Sequence, residues 1–326
     1  MRKLSLLLVL GVGFFGCQPA KQAEPSAQPF ISNPIHEDFM ADPSIVKLDD
    51  THYLYATIDP WGGDSLQVIY SRDFENWTTT RLNWPTKAAC QTPISRSSRV
   101  WAPGVTLGPN GKYYMYVSVG SEVWVGVSEH PLGPWKNARE DGGTLVSTDL
   151  YPEFHMIDAE PFIDDDGQAY LYWGSGLKWV NGHCFVAKLN EDMASFAEEP
   201  RDVTPPNYFE APIMIKRDGR YYLMYSEGKC TNATYKVQYS VGDSPYGSWE
   251  LGANSPILST SADSTTIGPG HHTVFSENGQ DYILYHRIFS SDTSALLRQL
   301  AIDSLNMDQA GNLLKVQPSG VTSFIR

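Results

Sequence analysis

Basic residues are scarce in this sequence: 24 Lys and Arg stand against 37 Asp and Glu in 326 residues, a formal charge of −13. A general nucleic-acid binder needs a basic face to neutralise phosphates, so that class is excluded. Cysteine is scarcer still, with 4 in the chain, too few for a disulfide-built scaffold of this length. Helical periodicity of useful length is missing, and the one long apolar run lies at the N-terminus. What is plentiful is Tyr (18), Trp (9), Gly (27) and Pro (22), a mixture that points to many short strands and turns. With 41% apolar and 19% charged residues, the chain is globular and long enough for a large core.

The N-terminal run has its own logic. Arg2 and Lys3 precede Leu4 to Phe15, which ends in Gly16-Cys17. This is the shape of a bacterial secretory signal, too short to cross a bilayer as a finished helix. A small residue before Cys resembles a lipoprotein box, whose cysteine is acylated and becomes the new N-terminus; Phe14 and Phe15 depart from the usual pattern. The expectation is a signal over 1–17, a Pro/Ala/Gln-rich tether over 18–30 and one folded domain over 31–326. It places the protein outside the cytoplasm, lipid-anchored in the bacterial envelope and touching membrane only through that anchor. Ordinary cleavage nearby, with a soluble product, is the alternative. Cys90, Cys184 and Cys230 then remain in the folded part, and no chemistry is assigned to them.

One phrase recurs along the folded part: a Pro-led or small polar pair, an apolar run, a tight turn, then a Tyr-rich strand. It runs from Ala41-Asp42-Pro43 to Tyr55, Trp101-Ala102-Pro103 to Tyr116, Ala159-Glu160-Pro161 to Tyr172, Glu210-Ala211-Pro212 to Tyr225, and Gly270-His271-His272 to Tyr285. The closing tyrosines are 61, 56, 53 and 60 residues apart. Asn110-Gly111, Asp166-Gly167, Asp218-Gly219 and Asn278-Gly279 fall between the two apolar runs of their units, which is hairpin chemistry. A second phrase, a strand ending in Ser and then a turn ending in Trp, keeps the same beat at Trp77, Trp135 and Trp249. Five units of small antiparallel sheets, repeated radially, make an all-β five-bladed β-propeller. Two β-sandwiches end to end would not hold the phrase at a constant period. The phasing also reads Asp164-Asp165-Asp166-Gly167 as a hairpin turn and not the start of a calcium loop, since no acidic ligand set follows at the required spacing.

In a propeller the innermost strands line the axis, so residues just before the repeated Pro converge on one funnel. Those positions hold Asp42, Trp101, Asp158 with Glu160, Glu210 and His271. A single Asp before such a strand is usually a turn or cap. Several acids in phase with the repeat are another matter. Like charges crowded in a cleft push their pKa values apart, leaving one carboxyl protonated beside another that is ionised. Glycosidic hydrolysis requires such a split pair.

Taken together, Ala41-Asp42-Pro43-Ser44-Ile45, Trp101-Ala102-Pro103, Ile157-Asp158 with Pro161-Phe162-Ile163-Asp164-Asp165-Asp166-Gly167, Glu210-Ala211-Pro212 and Gly268-Pro269-Gly270-His271 resemble the blade motifs of glycoside hydrolase family 43. The likeness spans nearly the whole chain after the tether. It implies an inverting enzyme acting on arabinose-, xylose- or galactose-containing glycans, with Asp42 as general base and Glu210 as general acid. Asp158 would be the third carboxylate, raising the pKa of Glu210 and orienting it; Glu160 competes for that role, and Ile157-Asp158 is the better match. Trp101 would wall the sugar pocket, with plain core packing as its alternative. Arg298 would contact sugar hydroxyls, with Arg287 as the nearest competitor. His271 would bind substrate and help hold a structural calcium ion in the channel, or be an ordinary hydrogen-bonded histidine. No cofactor is required for the chemistry. Retaining fructan hydrolases of the same superfamily carry Arg-Asp-Pro and Glu-Cys pairs, which are missing here. The sequence as given closes with the fifth unit, which favours a monomeric, exo-acting α-L-arabinofuranosidase over a β-xylosidase, endo-arabinanase or galactan-acting enzyme. Outside the enzyme class stands a carbohydrate-binding propeller that has lost catalysis.

Overall fold

Five inner strands contact one another in a closed ring in the computed structural model, which describes residues 30–324 apart from 97, 293 and 295. The signal expected over 1–17 and all of the tether but Phe30 lie outside the described residues. Each inner strand starts a small antiparallel sheet that runs outward in sequence order. Blade I comprises Met40–Leu48, Thr51–Ile58, Ser65–Ser71 and Thr78–Thr86. Blade II comprises Val100–Leu107, Tyr113–Val119, Val123–Ser128 and Lys136–Asn137. Blade III comprises Glu160–Ile163, Ala169–Trp173, Phe185–Lys188 and Arg201–Asp202. Blade IV comprises Glu210–Arg217, Arg220–Glu227, Lys236–Gly242 and Glu250–Leu251. Blade V has three strands, Ile267–Glu277, Gln280–Ile288 and Arg298–Leu305. The fold is the expected five-bladed propeller.

Blade V is flanked by a separate two-stranded sheet. Phe30–Ser32 pairs antiparallel with Val321–Ser323, and the Asn33 side chain exchanges hydrogen bonds with both backbone groups of Ile302. The ring is thereby closed by joining the two ends of the domain. Five apolar clusters fill the five spaces between neighbouring blades, so no blade buries its faces alone. The repeated tyrosines are part of this cement. Tyr55, Tyr116 and Tyr172 are fully buried, and each hydroxyl donates to a carbonyl of the following blade, at Pro131, Met193 and Pro245. A buried phenol that finds such a partner bonds two blades at little desolvation cost.

The inner strands share a less expected feature. Asp42, Ala102, Asp158, Ala211 and His271 all have left-handed backbones, with φ of 52°, 47°, 58°, 56° and 37°. Strand pairing slips beside four of them, at Ala41/Ser44, Trp101/Pro103, Glu210/Ile213 and Gly270/Thr273. Such backbone costs roughly 1–2 kcal/mol per non-glycine residue and persists only where its surroundings hold it. Here the freed amides are caught by the preceding blade: Ala102 donates to Thr57, Asp158 to Ser118, His271 to Ser226 and Asp42 to His286. The bulge aims the side chain at the axis, and a buried ring of hydroxyls pins it there.

Candidate active site

These bulges bring the sequence-selected residues to one pocket of about 450 Å³ at the axis. Asp42, Trp101, Asp158, Glu210, His271 and Arg298 all line it. Of the two candidates for the third carboxylate, Asp158 lines this pocket and Glu160 does not. Asp158 holds the left-handed position equivalent to Asp42, whereas Glu160 lies two residues further down the strand, with its carboxylate filling the space left by Gly104.

Asp42 is 5% exposed and surrounded by donors. Thr57 donates to its Oδ2 at 2.7 Å, while Oδ1 lies 3.1 Å from His271 Nδ1 and 3.2 Å from Arg298 Nη1. Burial alone would raise its pKa, but the Arg298 and His271 charges hold it well below the ordinary carboxylate range. Asp42 is ionised.

Glu210 accepts from Tyr235 at 2.7 Å and from Ser175 at 3.1 Å. Tyr235 is in turn fixed by stacking flat on His286, ring centres 5.5 Å apart. Burial raises Glu210, and these hydrogen bonds offset only part of it. Asp158 is pushed up to about 8, first by burial and then, against the pull of His271, by the charges of Glu210 and Asp42. Its Oδ1 is buried without a hydrogen-bond partner. Asp158 and Glu210 are thus both raised and hold a proton above the usual carboxylate range, with burial and not the like charge expected from sequence leading the shift.

His271 bridges the two sides of the site, with Nδ1 3.7 Å from Asp158 Oδ2 as well as 3.1 Å from Asp42. Burial would discharge it, yet Asp42 and Asp158 raise it to about 9. His271 is the counter-charge of the carboxylates, and no grouping of three metal-ligating side chains occurs among the described residues. Arg298 lines the pocket with its guanidinium anchored on carboxylates: Nε and Nη2 grip Asp59 at 3.0 and 2.7 Å and Nη1 faces Asp42.

Trp101 is half-buried on the pocket wall, its ring 5.7 Å from His155, and is not part of an inter-blade core. Sequence reasoning missed Asp59, Tyr235 and His286, and also the aromatic rim of Trp61, Trp179 and Phe209. It also missed Cys230, a free buried thiol on the pocket lining. Asp164, in the acidic run of blade III, is bound by Lys216 and Tyr221, as suits a hairpin rather than a metal site.

Glu160 yields a stability prediction. Burial, opposed by His271, moves its pKa from 4.5 to about 8. Between those values the unfolded chain has lost a proton that the folded chain retains, so stability falls as pH rises through the window. Glu160→Gln removes that dependence. Urea unfolding at pH 5 and pH 9 should show the variant losing ~4 kcal/mol less than wild type between the two conditions. Parallel losses would sink the assignment.

A propeller axis that holds one carboxyl ionised and keeps a proton on its neighbours is the apparatus of a glycosidase working by paired acid and base. The model of "Glycosyl hydrolases family 43" matches residues 31–313. The "Beta-D-galactofuranosidase xynD" of Aspergillus niger is 33% identical over 299 residues, covering 87% of this chain and 84% of that protein. A "Xylosidase/arabinosidase" of Bacteroides ovatus is 27% identical, over 86% of this chain and 95% of its own. The crystal structure of a thermostable family-43 glycoside hydrolase superposes with a TM-score of 0.72 at 26% identity, covering 90% of this chain and 97% of that one. The chain belongs to glycoside hydrolase family 43, an inverting family that acts on carbohydrates and needs no cofactor.

Proposed function

We propose that the protein is an exo-acting α-L-arabinofuranosidase that removes arabinose from plant polysaccharides such as arabinan and arabinoxylan. The observation that carries the acid–base assignment is the split across the pocket: Asp42 ionised on blade I, a retained proton on Asp158 and Glu210 opposite. Asp42 acts as general base on the attacking water, Glu210 protonates the glycosidic oxygen, and Asp158 keeps the proton on that side. His271 and Arg298 hold Asp42 charged and in place, while Trp101 packs on the sugar's C–H face. An exported, lipid-anchored location follows from Arg2, Lys3, the apolar run and Gly16-Cys17.

A second reading is favoured by the 33% identity to a β-D-galactofuranosidase. β-D-Galactofuranose has the ring configuration of α-L-arabinofuranose and differs in its longer exocyclic arm. Both readings are tested by a panel of 4-nitrophenyl α-L-arabinofuranoside, β-D-galactofuranoside and β-D-xylopyranoside, with NMR of the first sugar anomer released. Arabinofuranoside should give the highest kcat/KM, with inversion. A preference for galactofuranoside would select the second reading. Binding of glycans with no turnover of any of them would overturn both and leave a carbohydrate-binding propeller.

A further inference from the structure

We propose that a second groove, beside the active pocket between blades III and IV, binds the leaving part of the substrate, and that this part is a neutral glycan of at least two sugar units. The inference rests on the reading of Glu210 as the acid. The groove holds about 590 Å³ and is walled by residues 179–182, 207–209 and 227–229, with 232 and 234. It adjoins the catalytic pocket, since Trp179 and Phe209 line both. Their rings stack with centres 6.0 Å apart and planes 13° from parallel, forming a sill between the two spaces.

Direction follows from the chemistry. An acid must reach the glycosidic oxygen, so the leaving group departs on the acid's side, and the base and its water stand on the other. Glu210 directly follows Phe209, the sill residue. Asp42 comes from blade I, where Arg298 and Asp59 hold it. The groove is therefore on the leaving-group side.

Its lining suits hydroxyl-rich, uncharged material. Asn181, Asn207 and Lys229 are exposed, and their side chains have no hydrogen-bond or ion-pair partner among the described residues. Glu227, held by Gln238 and Lys236, stands on the same wall, so the groove carries both signs and no net bias toward a polyanion. Trp179 is 37% exposed and offers a ring face to a sugar at the sill.

The groove is also built rather than incidental. Lys178, Trp179 and Asn181 have φ of 55°, 64° and 53°, and Asn207 on the facing wall has 62°. Left-handed backbone at a bulky residue such as Trp is rare and persists only where structure enforces it. Gly182 does the enforcing: a Cβ there would lie 2.3 Å from the Phe209 carbonyl oxygen, so only glycine lets the loop close on the sill.

The test compares two substrates with one released sugar, α-1,5-arabinotriose and 4-nitrophenyl α-L-arabinofuranoside. Only the first has a second and third sugar to lay in the groove. The variant is Lys229→Ala with Asn207→Gly, the glycine preserving the left-handed turn. The ratio of kcat/KM for triose over aryl glycoside should fall about tenfold from wild type, carried by KM. An unchanged ratio, or equal losses on both substrates, overturns the groove. Should wild type release a different sugar, the arabinose reading has failed on its own, and the ratio is taken on the aryl glycoside and linear trisaccharide of that sugar.

Discussion

Asp42→Asn is expected to lower kcat by about two to four orders of magnitude, the range a positioned base contributes. The amide is isosteric, so Thr57 can still donate to its oxygen, and asparagine tolerates the left-handed φ of 52° better than most residues. The loss is therefore one of charge and basicity rather than of fold. It has a second consequence that a structural defect would not produce. Asp42 makes the largest upward contribution to His271, which stands at about 9 against a burial effect pulling down. With that charge gone, the imidazole should titrate well below 9, and an NMR titration of the His271 ring reads the change directly. A kcat within tenfold of wild type, or an unmoved His271, would remove Asp42 from the role of base.

The propeller was legible because its physics repeats. Each blade must bury the same two faces against its neighbours, so the chain repeats the same Tyr-bearing strand, and Tyr55, Tyr116 and Tyr172 do the same job in three successive spaces. The axial acids were legible for the same reason, since their phase in the repeat fixes where they point. The ring of hydroxyls was also within reach: Thr57, Ser118 and Ser226 each follow a closing tyrosine by one or two residues. Side chains outside the repeat's phase were not. Tyr235 precedes an outer strand, yet it is the partner of Glu210. Ring closure hides more, because it joins residues from opposite ends of the chain: Asp42 meets His286 across 244 positions, and Arg298 meets Asp59 across 239. No local pattern announces such a pair. His271 belongs with these: only the assembled site sets Asp42 and Asp158 against its ring and raises it.

Glu210→Gln separates the acid from the other carboxyls through the leaving group. The glutamine can still accept from Tyr235 and meet Ser175, so the site keeps its shape. A sugar hydroxyl is a poor leaving group unless it is protonated as the bond breaks, whereas nitrophenolate departs unaided. The variant should lose about 10³–10⁴-fold in kcat on arabino-oligosaccharides and far less on the aryl glycoside. The pH profile carries the same signature. Wild-type kcat/KM needs Asp42 ionised and a proton on Glu210. Its acid limb therefore lies below the usual carboxylate range and its alkaline limb above it. Activity should fall as pH rises through the raised value of the Asp158–Glu210 pair, and Glu210→Gln should flatten that alkaline limb on the aryl substrate. Asp158→Asn provides the contrast. It removes the repulsion between the two carboxyls and leaves Glu210 in place, so the alkaline limb should shift to lower pH and persist. If instead Asp158→Asn abolished the limb and Glu210→Gln kept it, the acid would be Asp158. The leaving group would then depart on the blade III side of the pocket, and the direction of the whole reaction across the axis would change with it.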